Sequence, residues 1–177
     1  EKVSNYLVEV YMNTRSYEAA LKSIERIAKP SAQIMEAKQK ILFQLGTQSF
    51  ANANFEQALQ YLNQSIAIGQ YNRQTKADAY YWCGESYYRL NRMMEAARDF
   101  NAYLQLTTQP NNEMYALANY NLGYIAFHRK DYTQASNYFQ KYIQLEKGEN
   151  RTALADAYNR IGDCHLNVRN FEEAKHY

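Results

Sequence analysis

The sequence predicts an all-α solenoid of about five helical hairpins, and three observations point to it. An alanine preceded three residues earlier by a large apolar residue occurs five times. The pairs are Tyr17 with Ala20, Phe55 with Ala58, Met93 with Ala96, Tyr132 with Ala135 and Phe171 with Ala174, and the alanines recur at intervals of 38, 38, 39 and 39 residues. Twelve residues before each alanine stand Val8, Gly46, Gly84, Gly123 and Gly162, directly preceded by Leu7, Leu45, Cys83, Leu122 and Ile161. Between these marks the apolar residues keep helical spacing. In residues 119–142, Leu122, Gly123, Ala126 and Phe127 form one stripe, and Ala135, Tyr138, Phe139 and Tyr142 form another. The small Gly123 and Ala135 lie on facing stripes, so the two helices pack closely as an antiparallel hairpin. Arg129, Lys130 and Asp131 separate them, placing bases at one helix end and an acid at the next helix start, as the helix dipoles favour.

Copy one, about residues 1–30, takes a first helix over 1–13, a turn at Thr14, Arg15 and Ser16, and a second helix over 17–27 capped by Ser16. It stops before Lys29 and Pro30, because proline cannot continue a helix. In copy two, about 31–70, Ser31 caps a long helix to Phe50. Asn52, Ala53 and Asn54 then turn the chain into a second helix over 55–68, closed by Gly69. Copy three, about 71–109, has helices over 75–90 and 93–106 around a turn at Asn91 and Arg92, with Trp82 beside Cys83. The connector 107–112 holds Pro110 and two asparagines, yet the register resumes at once, so it reads as a loop within the stack. Copy four, about 110–148, is closed by Lys147 and Gly148. Copy five, about 149–177, begins at Asn150, turns at Arg169 and Asn170, and is cut inside its second helix. With no initial methionine and a last residue in mid-helix, the chain is expected to be a fragment of a longer one.

Leu122-Gly123 with Ala135 and Phe139, and Gly84 and Tyr87 with Ala96 and Phe100, resemble the tetratricopeptide repeat, whose pattern includes Leu-Gly, an aromatic and Ala-x3-Phe. The resemblance covers nearly the whole chain, with two departures. The period exceeds the usual ~34 residues by four or five, and the closing proline has no fixed column, Pro30 and Pro110 being the only two. The surplus, as in residues 31–38 and 111–115, reads as about one extra turn at the start of each first helix. Repeats this long resemble those of bacterial cell-envelope and periplasmic members of the family.

The resemblance implies a right-handed superhelix whose first helices line a concave face that grips a peptide. Transferred onto this chain, that stripe is Asn5, Glu9 and Met12, then Phe43, Thr47 and Phe50, then Tyr81, Glu85, Tyr88 and Arg89. It continues with Tyr120, Tyr124, Phe127 and His128, and ends with Asn159, Asp163 and Leu166. Spacings of three, four and seven keep each set on one helical face. The implied function is a non-catalytic scaffold for a protein or peptide partner. Glu9 and Glu85 would repel a terminal carboxylate, so the aromatic groove better suits apolar or proline side chains with a basic residue. Two alternatives stay open. The aromatics equally suit packing against the neighbouring hairpin or a groove filled by another part of the same protein, and a second reading of the chain is a spacer or regulatory segment of a larger signalling or catalytic protein.

Other chemistry finds no support. A net charge of +2, with bases spread over every repeat, leaves no basic stripe for nucleic acid. No segment approaches the ~18 apolar residues of a membrane span. The adjacent Cys164 and His165 point about 100° apart, and no Cys-x2-Cys or His-x3-His spacing occurs, so neither a metal nor another cofactor is expected. Cys83 and Cys164 lie two repeats apart, too far for a disulfide, and are expected as free thiols. Glu172 with Glu173, and Glu95 with Asp99, read as solvated helix faces. Phosphate-loop and nucleophile-elbow strings are missing, so no catalytic residue is assigned.

Overall fold

The computed structural model describes residues 16–146, 148 and 150–175, without the side chains of 171 and 173–175. The first helix and most of the first turn of copy one, including Asn5, Glu9 and Met12, lie outside the described residues. Eight α-helices are described: α1 (Tyr17–Glu25), α2 (Ala32–Ala51), α3 (Phe55–Ala67), α4 (Arg73–Arg89), α5 (Met93–Leu106), α6 (Glu113–His128), α7 (Tyr132–Leu145) and α8 (Arg151–Lys175). The contacts divide the chain into two compact units, Glu1–Thr108 and Gln109–Tyr177, and the division falls in the connector that the sequence reads as a loop within the stack.

The helix starts follow their polar cap residues. Side-chain oxygens of Ser31, Asn72, Asn112 and Asn150 accept from the backbone N–H of Ile34, Thr75, Tyr115 and Ala153 at 3.2, 2.9, 2.8 and 3.0 Å. Asn54 and Asp131 cap α3 and α7 in the same way. Ser16 holds the cap position of α1 without a side-chain capping bond, and α1 ends at Glu25, short of Ile27. The helices α2, α4 and α6 run to 20, 17 and 16 residues against 13, 14 and 14 for α3, α5 and α7, which places the extra turn in the first helices.

Each complete turn repeats one device. Ala53, Asn91 and Lys130 take left-handed φ values of 61°, 61° and 64°. The following N–H groups of Asn54, Arg92 and Asp131 then bond back to the carbonyls of Ser49, Tyr87 and Ala126 at 2.8, 2.8 and 2.9 Å. This closes the last turn of the first helix in a Schellman arrangement.

Beyond each turn the returning helix seats a large side chain on the glycine column. A Cβ on Gly46 would stand 2.6 Å from Leu62, one on Gly84 2.7 Å from Phe100, and one on Gly123 2.8 Å from Phe139. Leu62, Phe100 and Phe139 are fully buried. Two expectations fail here. Gly69 does not close α3 but opens a short 3-10 turn, Gly69–Tyr71, and lies buried where a Cβ would meet the stem of Lys76. The turn at Arg169 and Asn170 does not form, for α8 runs straight through it. A Cβ on Gly162 would meet nothing within 4 Å among the described residues.

The two glycines therefore respond oppositely to alanine. Gly162→Ala is expected to stabilise the chain by up to ~1 kcal/mol through helix propensity, whereas Gly123→Ala overpacks Phe139 and is expected to cost about 1–3 kcal/mol. Urea denaturation in dilute solution reads both, and equal signs would refute the packing described.

Asp99 corrects the solvated-face reading, being 3% exposed. It lies beside the fully buried Phe100, on the side of α5 that packs under α4, and accepts from Arg98 Nε at 3.1 Å. Burial pushes its carboxyl above the usual range, and Glu95 adds to the rise while Arg98 opposes it. A raised folded value means the contribution to stability is present below the unfolded pKa of ~3.9 and is lost as pH rises through the folded one. Asp99→Asn is thus expected to melt higher than the native chain near neutral pH, with the gain shrinking towards pH ~4. A constant difference between the two pH values would contradict the burial argument.

Candidate functional site

In the first unit, the expected stripe divides between core and surface. Tyr81 is 3% exposed, with its ring edge-on to Trp82, Phe100 and Tyr103 at centroid distances of 5.2, 5.6 and 5.4 Å. Its hydroxyl donates to Glu85 Oε1 at 3.0 Å. Phe43, Phe50, Glu85 and Tyr88 are half-buried and Arg89 is exposed. Phe50 of α2 meets Trp82 of α4 at 5.0 Å and Phe55 at 5.2 Å, and the Arg89 guanidinium lies 5.6 Å from the Phe50 ring centre. The Tyr88 hydroxyl is pushed up by partial burial and by Glu85, against the pull of Arg89. The half-buried Thr47 turns its hydroxyl back to the Gln44 carbonyl at 3.0 Å. These contacts bring Phe50, Trp82 and Arg89 together where α2 meets α4, with Glu85 held one turn away.

In the second unit, the stripe is occupied by the chain itself. The Tyr120 and Tyr124 rings pack 5.2 Å apart, Tyr120 lies 4.9 Å from Tyr142, and Tyr124 lies 5.1 Å from Phe139. Both hydroxyls donate to one oxygen of Asp156 on α8, that of Tyr120 at 2.7 Å. Burial, then this acid, pushes both phenols up, Tyr124 to about 12. Arg160 reaches Asp163 at 3.1 Å and Asp156 at 3.9 Å, and its guanidinium lies 5.9 Å from the Phe127 ring centre. His128 is exposed, 6.1 Å from both Tyr124 and Phe127, and Asn159 and Leu166 are exposed on another side of α8. Asp156 and Arg160 were no part of the expected stripe. Their signal was an acid and a base four residues apart on the first helix of copy five.

A separate polar cleft of about 430 Å³ opens between the start of α6 and the end of α7, lined by Asn112, Glu113, Ala116, Tyr142, Glu146 and Asn150 among others. Tyr142 donates to Glu146 at 3.2 Å, and burial, with the nearby acids, pushes its hydroxyl up to about 12. Both cysteines are free and buried, and burial raises both thiols, which disfavours the nucleophilic thiolate. Among the described residues no three His, Cys, Asp or Glu side chains converge as metal ligands, and no helix is long and apolar enough to cross a membrane.

The helical hairpins have solved counterparts. MamA protein superposes with a TM-score of 0.60 at 18% identity, over 98% of this chain and 88% of that one. BtubC from P. vanneervenii gives 0.66 at 14% identity, over 97% and 74%. YrrB, described as a TPR protein with an unusual peptide-binding site, gives 0.59 at 15% identity, over 94% and 77%. At these identities the likeness is one of fold. By sequence, no curated protein matches the chain. Two family models for the tetratricopeptide repeat do match, one over residues 43–113 and the other over residues 116–148 and 155–177. With its turns, its glycine column and most of its length covered by these matches, the chain belongs to the tetratricopeptide repeat family.

Proposed function

We propose that this chain is a non-catalytic scaffold that holds a peptide segment of a partner protein on the face where α2 meets α4. Tetratricopeptide repeats typically serve protein association rather than catalysis, and the first unit has a surface suited to that work. The observation that carries the reading is the half-buried aromatic cluster of Phe50 and Trp82, with Arg89 over the Phe50 ring and Tyr88 between Glu85 and Arg89. Half-open rings offer carbon to apolar or proline side chains. Arg89 and Glu85 give the ends of that surface opposite charges, so a bound segment is read for polarity as well as bulk. In the second unit Tyr120 and Tyr124 already hold Asp156, so the peptide surface is assigned to the first.

Selection of displayed random peptides on the native chain tests this. Enriched peptides should be rich in apolar and proline residues, and Phe43→Ser with Arg89→Glu should weaken their binding tenfold or more while the melting temperature stays within a few degrees. Failure to enrich any peptide, or equal binding by the variant, would favour a spacer segment.

A further inference from the structure

Arg89 differs from the other guanidiniums that lie over aromatic rings. Arg92 and Arg98 lie 5.0 and 5.8 Å from the ring centre of Tyr87, and Arg160 lies 5.9 Å from that of Phe127. Each of these three also holds a carboxylate. Arg92 reaches Glu95 at 2.6 Å, Arg98 reaches Asp99 at 3.1 Å, and Arg160 reaches Asp163 at 3.1 Å. Arg89 lies 5.6 Å from the ring centre of Phe50 and pairs with no carboxylate among the described residues.

A carboxylate nevertheless stands at the right spacing. Glu85 precedes Arg89 by four residues on α4, the order in which an acid and a base ordinarily pair along a helix. The residue one turn further back keeps them apart. The hydroxyl of Tyr81 donates to Glu85 Oε1 at 3.0 Å, and its ring is packed in the core against Trp82, Phe100 and Tyr103. A ring fixed in this way gives the hydroxyl one position, so the half-buried carboxylate is drawn towards the start of the helix. The Phe50 ring of α2 draws the guanidinium the other way. Both charges act on the Tyr88 hydroxyl, Glu85 raising it and Arg89 lowering it.

We infer that Tyr81 is a positioning residue for the peptide face: its hydroxyl holds Glu85 off Arg89, and Arg89 takes an acidic side chain of the bound segment. The inference rests on the peptide face where α2 meets α4 and adds the class of residue read there, an aspartate or glutamate beside an apolar or proline residue. The apolar residue meets the half-open rings of Phe50 and Trp82 while the carboxylate meets Arg89. The Phe50 ring already orients the guanidinium, and no internal ion pair with Glu85 is given up on binding.

Peptides enriched on the whole chain from a displayed random library provide the probe. They are synthesised with amidated C-termini, so that only side chains carry carboxylates, and again with each Asp or Glu replaced by its amide. Fluorescence anisotropy gives the ratio of affinities for the two forms. The native chain should bind the acidic form about fivefold or more tightly. Tyr81→Phe should cut that ratio by about threefold, because Glu85 then pairs with Arg89, while binding of the amide form stays the same. Adding Glu85→Gln to Tyr81→Phe removes the competing charge and should restore the native ratio. Loosened packing alone would weaken both forms alike, and Glu85→Gln would not repair it. Circular dichroism melts confirm that both variants fold. Enriched peptides without acids, equal affinity for the two forms, or a ratio that Tyr81→Phe leaves unmoved would overturn the inference and leave the peptide face standing. So would a ratio that Glu85→Gln fails to restore. Failure to enrich any peptide would overturn the face and the inference together.

Discussion

Phe139→Ala is expected to lower the unfolding free energy by about 3–5 kcal/mol, the cost of removing a fully enclosed aromatic ring. The ring has no exposure, and it meets Tyr124 at 5.1 Å, Tyr120 at 6.0 Å and the bare Cα of Gly123. Gly123 has no side chain with which to fill the space, and Tyr120 and Tyr124 are held by Asp156, so the cavity cannot readily collapse. Phe139→Leu keeps part of the volume and should lose less. Denaturant titrations followed by circular dichroism compare the two, and a loss below ~1 kcal/mol for alanine would mean that the hairpin of α6 and α7 does not close on this ring.

Tyr81→Ala is expected to cost a similar ~3–5 kcal/mol, since its buried ring on α4 packs against Phe100 and Tyr103 of α5, as Tyr120 packs against Phe139 and Tyr142 in the next hairpin. Tyr81→Phe removes only the donor to Glu85 and should cost roughly 0.5–1.5 kcal/mol. Tyr88→Ala, one of the half-buried residues, should change stability much less. The ordering separates a core tyrosine from a surface one within a single helix. A Tyr81→Ala chain that melts like the native protein would return Tyr81 to the binding surface.

The repeat and the turns of copies two to four were legible because each rests on local chemistry. Of the two caps read from the sequence, Ser31 bonds to backbone three residues on while Ser16 makes no side-chain capping bond, and Met93–Leu106 is bounded as the apolar period indicates. The division of aromatics between core and surface was not legible, for a geometric reason. The first helices have neighbours on several sides, and α4 buries Ala77, Ala79, Tyr81, Cys83, Gly84, Ser86 and Tyr87, positions that surround its axis. A stripe at spacing three, four and seven therefore fits both a groove and an interface between hairpins. Asp99 misled for a related reason: its charge suggests water, but its place beside Phe100 puts it under α4. The turn expected at Arg169 and Asn170 misled because residue types that suit a turn do not exclude helix, and α8 runs through both.

The recurring left-handed turn also sets a clock on each hairpin. Amides at loop tips ordinarily trade their protons with solvent quickly, but those of Asn54, Arg92 and Asp131 are each locked on a carbonyl five residues back. Their exchange must wait until the turn itself opens. Three deuterium-uptake rates, read at three equivalent amides, thus time the separate breathing of three hairpins in one chain.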